Sequence, residues 1–321
     1  MSVNEMVLGI DIGGTTTAFG FVDRQGALLA EATIPTEAHE SAQNLVFRLH
    51  EKIEELRASL TPNFCLKGIG IGAPNANYYR GTVEKAVNLN WGESVNLVEL
   101  FRKHYDLPVA ITNDANAAAI GEMRFGSARG MKHFIVITLG TGLGSGIVVN
   151  GELLYGFDGF AGELGHTVVD PAGRVCGCGK KGCLETYVSA TGICRTALAL
   201  MAERLDSSAL RSLSHDTMTS RDIYAAAREG DPIALEAFNV TARILGMKLA
   251  DAVAHLSPEA IFLLGGLAGA GELLFKPTKK YLEEYLLRTF RGKVALLPSG
   301  LNDDNSAILG AGALIWHELK V

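Results

Sequence analysis

The chain reads as an α/β protein built on a duplicated pattern, and three observations point there. Short β-runs and amphipathic helical stretches alternate along 321 residues. Glycine is abundant, 37 against nine prolines, without a collagen period, so tight turns and close backbone approaches are expected. One strand, glycine turn, strand pattern also occurs twice. The first copy is Val7-Leu-Gly-Ile-Asp-Ile-Gly-Gly14, resuming over Ala18–Asp23; the second runs from Ile135 through Leu139-Gly-Thr-Gly-Leu-Gly-Ser-Gly146 to Asn150. Gly13 and Gly140 align at an offset of 127 residues, which suggests two similar lobes with a cleft between them. Chance recurrence of glycine hairpins is the plainer alternative.

The remaining elements follow in order. Leu28–Thr33 completes three antiparallel strands. Leu45, Val46, Leu49, Ile53 and Leu56 then mark a helix with Ser41 as its N-cap. Lys67–Ile71 and Val109–Thr112 read as buried strands. Asp231-Pro232 places a cap and a first-turn proline at the start of a long helix directed towards His255 and Pro258. Ala260–Leu264 is a fully apolar strand ending at Gly265-Gly266, and Ser306–Leu319 is a final helix. Ser207–Ser220 is polar and reads as a surface loop or weak helix.

Composition excludes several classes. Apolar residues make up 48% and charged residues 20%, as in a packed globular chain. Lys plus Arg is 29 against 35 for Asp plus Glu, a net charge of −6, which does not favour the phosphate backbone of nucleic acid. Met1–Val7 has no basic leader. The most apolar stretch, Phe134–Val149, is broken by glycines and threonines, so neither export nor a membrane span is expected and the cytoplasm is the default location. Five cysteines, three of them within eight residues, are not a disulfide framework.

Five segments can carry chemistry. Asp11-Ile-Gly-Gly-Thr-Thr16 offers backbone N–H groups and hydroxyls to phosphate oxygens, and Asp11 can hold Mg²⁺ through water; a plain hairpin is the competing explanation. Gly140, Thr141, Gly142 and Gly144 form a second such turn, and the two together can clamp one nucleotide. Gly265-Gly266 suits a third close approach, to an adenosine, or is a simple strand-to-helix turn. Asn113-Asp114 opens an Ala-rich helix. Capping explains one of the pair well, while in the functional reading Asp114 takes the proton of an attacking hydroxyl and Asn113 orients that substrate. Finally, His166 with Cys176, Cys178 and Cys183 is a complete Cys₃His set for structural zinc, with Glu163 and Glu185 beside it.

Together these segments resemble the ROK family of sugar kinases and regulators, through Asp11-Ile-Gly-Gly-Thr15, Glu163-Leu-Gly-His166 and Cys176-Gly-Cys-Gly-Lys-Lys-Gly-Cys-Leu-Glu185. The resemblance implies duplicated actin-like (RNase H-like) ATPase lobes. They are expected as residues 1–112 with 301–321 and residues 113–300, the latter with a zinc-bound loop at 166–185. It implies ATP with Mg²⁺ at Asp11, Gly13, Gly14 and Thr15, at Gly140, Thr141, Gly142 and Gly144, and at Gly265 and Gly266. Asp114 corresponds to the catalytic base; Gly72, Asn113, Asp114, Glu163, His166 and Glu185 to hexose contacts; and His166, Cys176, Cys178 and Cys183 to the zinc ligands. The implied activity is phosphorylation of a hexose 6-hydroxyl, glucose first. Kinases for N-acetylglucosamine, N-acetylmannosamine, mannose or fructose are the alternatives, and a sugar-responsive regulator is the rival from another class. A homodimer or homotetramer is implied, with no nucleic-acid or membrane partner. Two positions depart from the family pattern: Asn75 follows Gly72-Ala-Pro74 where glycine is usual, and Leu267 takes the place of a third glycine after Gly265-Gly266.

Overall fold

The computed structural model describes residues 4–60, 64–86, 88–301 and 305–320. The chain forms two compact units, one of residues 1–131, 152–162 and 299–321, the other of residues 132–151 and 163–298.

The first unit begins with β1 (Asn4–Ile12), β2 (Thr16–Asp23) and β3 (Leu28–Pro35), followed by α1 (Ala42–Ala58). Ser41 caps α1 through its hydroxyl, which accepts from Asn44 N, and Leu45, Val46, Leu49 and Ile53 form the buried face. Next come β4 (Phe64–Gly72), the short strands β5 (Ala76–Asn77), β6 (Thr82–Glu84) and β7 (Ser94–Asn96), and α2 (Leu97–Arg102). The stretch closes with β8 (Val109–Thr112) and α3 (Asp114–Arg124). The main sheet has the order β3-β2-β1-β4-β8, antiparallel in the hairpins and parallel from β1 to β8.

The second unit starts with β9 (Phe134–Leu139) and β10 (Leu143–Val149), after which β11 (Glu152–Leu153) lies in the first unit. It continues with α4 (Ala190–Glu203), α5 (Ser220–Arg228), α6 (Pro232–Leu256), β12 (Ala260–Leu264), α7 (Glu272–Tyr285) and β13 (Ala295–Pro298). Asp231 accepts from Ile233 N and Ala234 N at 3.0 Å each, and Pro232 sits at the first helical position of α6, as its sequence predicts. The strands run β10-β9-β12-β13, with β9 antiparallel to β10 and parallel to β12, itself parallel to β13. This repeats β2-β1-β4-β8, so the echo between the two glycine turns is a repeat of topology.

The unit bounds differ from the sequence reading, which put residues 113–300 in the second lobe: residues 113–131, 152–162 and 299–300 fall in the first unit. Residues 113–131 belong with the first unit, because α3 packs along the last helix, α8 (Ser306–Glu318). Ser207–Ser220 is the exposed loop its polarity predicts; within it a 3₁₀ turn over Ala209–Ser212 buries Leu210, and Met218 is buried as well. Both join the second unit's core, so this polar stretch is pinned by two apolar side chains.

The seam around α8 sets the first unit's geometry. A methyl group added at Gly9 would overlap the Ile308 carbonyl, and one at Gly70 would overlap that of Ala311. One at Gly310 would lie 2.6 Å from the Ala117 carbonyl, and one at Gly121 3.0 Å from Gly310 Cα. Helix α8 therefore lies backbone-close on β1, β4 and α3 at once. Inside the same unit the buried Glu122 of α3 accepts from Ser127 N at 2.6 Å, Ser299 Oγ at 2.5 Å and Gly300 N at 2.9 Å. Gly70→Ala is expected to lower unfolding free energy by about 3 kcal/mol, because the obstacle is backbone and cannot swing aside. A urea midpoint indistinguishable from that of the parent would contradict this account.

Candidate functional site

Parallel pairing brings Asp11, Gly72 and Thr112 into one register row at the carboxyl ends of β1, β4 and β8. Open α/β sheets present ligands with this edge. A side chain at Gly72 would come within 3.3 Å of Asp11 Oδ1, so the bare backbone there makes room for that carboxylate. Burial, and then the charge of Asp114, push the Asp11 carboxyl up to about 7. Asn113 caps α3, its Oδ1 accepting from Asn116 N at 2.7 Å. That bond uses the oxygen only, so capping and substrate contact through the amide NH₂ are compatible. Asp114 Oδ1 accepts from Ala115 N at 2.9 Å. Solvent reaches the Asp114 side chain, yet the protein around it is dense enough that burial raises its carboxyl, opposed by backbone N–H groups.

The Gly13–Thr16 turn is held from below. Gly13 N donates to Thr16 O at 2.9 Å, and Thr36 grips the turn twice, its hydroxyl donating to Gly13 O at 2.8 Å and its N–H to Thr15 O at 2.9 Å. The buried Thr17 hydroxyl lies 2.9 Å from that of Thr36. Gly14 faces Asn88, whose Cβ would be 3.0 Å from an added methyl, and Thr15 is exposed at the tip. Sequence reading missed Thr36 and Asn88; threonine at the end of a β-strand and asparagine in a loop carry no periodic signal.

In the second unit the corresponding turn is tied to the start of α4. Gly140 N donates to Gly142 O at 3.1 Å, Gly140 O accepts from Ala190 N at 2.9 Å, and Thr141 O accepts from Thr191 Oγ1 at 2.8 Å. Gly144 sits opposite Thr138 in the β9–β10 hairpin. Gly142 lacks the side chain that would lie 2.8 Å from Glu185 Oε2. The ends of β9 and β12 are neighbours, and Gly265, at φ +101°, brings its chain against the Leu139 carbonyl, which also accepts from Leu267 N at 3.1 Å. Leu267 has φ −74° and a side chain only 2% exposed, so its position needs no glycine and its bulk points into the core. Among the described residues, no atom beyond its chain neighbours would lie within 4 Å of a methyl on Gly266.

The thiol cluster forms as expected. The candidate ligand atoms of His166, Cys176, Cys178 and Cys183 all lie within 4.8 Å of one another. Cys178 and Cys183 sulfurs are 3.6 Å apart, and Cys176 Sγ is 3.7 Å from His166 Nδ1. A tetrahedral ion with metal–sulfur bonds of about 2.3 Å requires edges of roughly 3.7 Å, so donor set and spacing both fit. His166 turns Nδ1 towards the sulfurs and Nε2 towards Glu163, 3.9 Å from its Oε2. Glu185 reaches the same group, with Oε1 at 2.9 Å from Cys176 Sγ and 3.6 Å from His166 Nδ1. Gly165 explains the Glu-x-Gly-His spacing, since any side chain there would strike the Leu143 carbonyl as the turn packs on β10. Arg174, missed from sequence, staples the loop to α4, donating to Thr186 O at 2.7 Å, Gly192 O at 3.0 Å and Thr196 Oγ1 at 3.0 Å while stacking on Tyr187.

The residues singled out from sequence thus gather in two groups. Asp11, Gly13, Gly14, Thr15, Gly72, Asn113 and Asp114 lie in the first unit. Gly140, Thr141, Gly142, Gly144, Glu163, His166, Cys176, Cys178, Cys183, Glu185, Gly265 and Gly266 lie in the second. Asn75, whose side chain raised the question of a changed sugar loop, has φ +52° and donates from Nδ2 to Lys85 O at 3.2 Å. Asparagine tolerates that left-handed backbone better than other residues with side chains.

A four-strand order repeated in two sheets, glycine turns at strand ends and a closed Cys₃His cluster define a duplicated α/β protein of the actin-like class. The chain belongs to the ROK family, whose model matches residues 7–318. A glucokinase of Halalkalibacterium halodurans is 37% identical over 315 residues, 97% of this chain and 95% of that one. The crystal structure of a ROK family glucokinase from Streptomyces griseus in complex with glucose and AMPPNP matches with TM-score 0.80 and 36% identity, over 96% of this chain and 98% of that one. A ROK family transcriptional regulator, a homologue of the E. coli MLC protein, matches with TM-score 0.86 and 28% identity, over 98% of this chain and 78% of that one. Among the described residues no helix is long and apolar enough to cross a membrane.

The Asp11 carboxyl carries a pH signature. In ligand-free protein it holds a proton up to about 7, whereas its ordinary value is 3.8. Across that window the folded chain binds more protons than the unfolded one, so this group makes stability fall as pH rises. Asp11→Asn is expected to flatten that fall in urea midpoints recorded from pH 4 to 7. An identical slope in the variant would overturn the assignment.

Proposed function

We propose that this protein transfers the γ-phosphoryl group of ATP to the 6-hydroxyl of a hexose, with glucose as the preferred acceptor. The observation that carries the reading is the carboxylate of Asp114, set at the start of α3 beside the strand-end row of Asp11 and Gly72. The glucokinase relatives support it by sharing nearly their whole lengths with this chain. Asp114, made more basic by burial, takes the proton from the 6-hydroxyl as that oxygen attacks the phosphorus in line. Asn113 orients the same hydroxyl through its free amide hydrogens. The turns at Gly13–Thr15 and Gly140–Gly144 offer N–H groups to the nucleotide's phosphates, Asp11 holds Mg²⁺ through water, and Gly265-Gly266 lies against the adenosine. Glu163, His166 and Glu185 bind sugar hydroxyls.

In this reading His166, Cys176, Cys178 and Cys183 hold structural zinc, which supplies a rigid centre for a loop with little core of its own. His166 serves it through Nδ1 and keeps Nε2 for the sugar side. A cytoplasmic homo-oligomer completes the proposal. The match to a transcriptional regulator favours one rival, a protein that binds sugar without turning over ATP.

A hexose panel with ATP and coupled ADP detection decides between these readings, and glucose should give the highest kcat/KM. Sugar binding without ADP release would establish the rival. Asp114→Asn is expected to lower kcat by about a thousandfold while leaving hexose KM within a few-fold, because a positioned base contributes mainly in the transition state. Retained kcat would remove Asp114 from the role of base. Cys178→Ala should drop zinc content well below one per chain and raise hexose KM. A zinc-free variant with unchanged KM would separate the metal from sugar binding.

A further inference from the structure

Between Gly151 and Glu163 the chain makes an excursion that folds as part of the first unit. Its loop closes on itself, Ala161 N donating to Tyr155 O at 3.0 Å, and it leads directly into Glu163. One buried side chain grips it. Asn77, with 0% exposure, sits on β5, two residues beyond Asn75. Its Nδ2 donates to Asp158 O at 2.7 Å, while its Oδ1 accepts from Tyr79 N at 3.1 Å and Arg80 N at 3.2 Å. Gly159 presses on that amide so closely that an added methyl would lie 2.8 Å from Asn77 Oδ1. The two following tyrosines reinforce the grip: Tyr79 OH donates to Gly156 O at 3.0 Å, and Tyr78 stacks on Tyr155 with ring centroids 4.1 Å apart and planes 9° from parallel.

We propose that Asn77 is a positioning residue for hexose binding, acting through this strap to fix the chain leading into Glu163. A buried amide satisfied on both its oxygen and its nitrogen tolerates few alternative arrangements, so it locates the strap more sharply than apolar packing does. The same short strand follows the Gly72–Asn75 turn, so one anchor serves both the turn and the strap. None of these contacts involves the glycine turns assigned to ATP or the thiol cluster, so hexose and nucleotide affinity should respond differently. The proposal rests on the hexose-kinase reading above, and wild-type turnover tests that reading by itself.

Two variants test the anchor. Asn77→Asp keeps an oxygen for Tyr79 N and Arg80 N but removes the donor to Asp158 O. Tyr79→Phe removes only the exposed hydroxyl bond to Gly156 O and leaves the core untouched. Each should raise hexose KM, Asn77→Asp by about tenfold and Tyr79→Phe by less, with ATP KM within twofold and zinc content equal to wild type. Hydrogen exchange across residues 155–161 should quicken in both, a readout that does not depend on turnover. Unchanged hexose KM with unchanged exchange overturns the proposal. So does a parallel rise in both KM values with loss of zinc, which marks general damage. A wild type without kinase activity sinks the functional reading and the hexose role of Asn77 with it, while exchange still decides whether the anchor exists.

Discussion

The first unit depends on a backbone-to-backbone contact: α8 lying on glycines of β1 and β4 and meeting α3 at Gly121 and Gly310. Close packing of small residues leaves no soft side chain to absorb error, so the angle and height of α3 over the sheet are fixed together. Asp114 and Asn113 stand at the first turn of that helix. Their distance from Asp11 and Gly72 is therefore set by the packing of this seam. Glu122 reinforces it from the helix's other end, where its buried carboxylate accepts from both Ser127 and the Ser299–Gly300 turn. A carboxylate with several N–H and O–H donors is well satisfied without a cation.

The second unit solves the same problem with different chemistry. Its glycine turn hangs from the first residues of α4, and α4 is in turn stapled by Arg174 to the loop carrying the cysteines. Glu185 occupies the space that Gly142 leaves open while also reaching the thiol cluster. Disturbance of the cluster and disturbance of the glycine turn are thus the same event seen from two sides. Half-burial of the Arg174 guanidinium depresses its pKa, yet carbonyl and hydroxyl acceptors and the Tyr187 ring satisfy it without an acidic partner.

Much of this was legible from residue order because it is local. Ser41 and Asp231 announced their helices by capping chemistry, and the Cys/His spacing announced a closed tetrahedron. The offset between Gly13 and Gly140 announced a repeat, and the ROK membership agrees with the motifs that suggested it. What was not legible depends on partners remote in the chain. Gly9 and Gly70 look like ordinary strand glycines until α8 arrives over them. Thr36 gives no hint that it shapes a turn more than twenty residues earlier. The two departures from the family pattern turn out to be backbone matters. Asn75 answers a left-handed φ, and Leu267 buries its side chain while its N–H does the work of the turn. The polar Ser207–Ser220 stretch is the surface loop its composition announced, but its anchoring by Leu210 and Met218 was not legible, because two apolar residues are too few to create a period.

The order of synthesis gives the α8 seam a further consequence. All of the second unit is encoded between β1 and α8, so a ribosome emits it before the helix that must cover Gly9 and Gly70. A nascent chain can complete the later unit while the earlier sheet still has one naked face, a reversal of the usual amino-terminal-first sequence. Gly9 must wait for Ile308, almost the whole chain away, the kind of contact that forms last and slowly. Chaperone dependence during translation should therefore concentrate on that sheet.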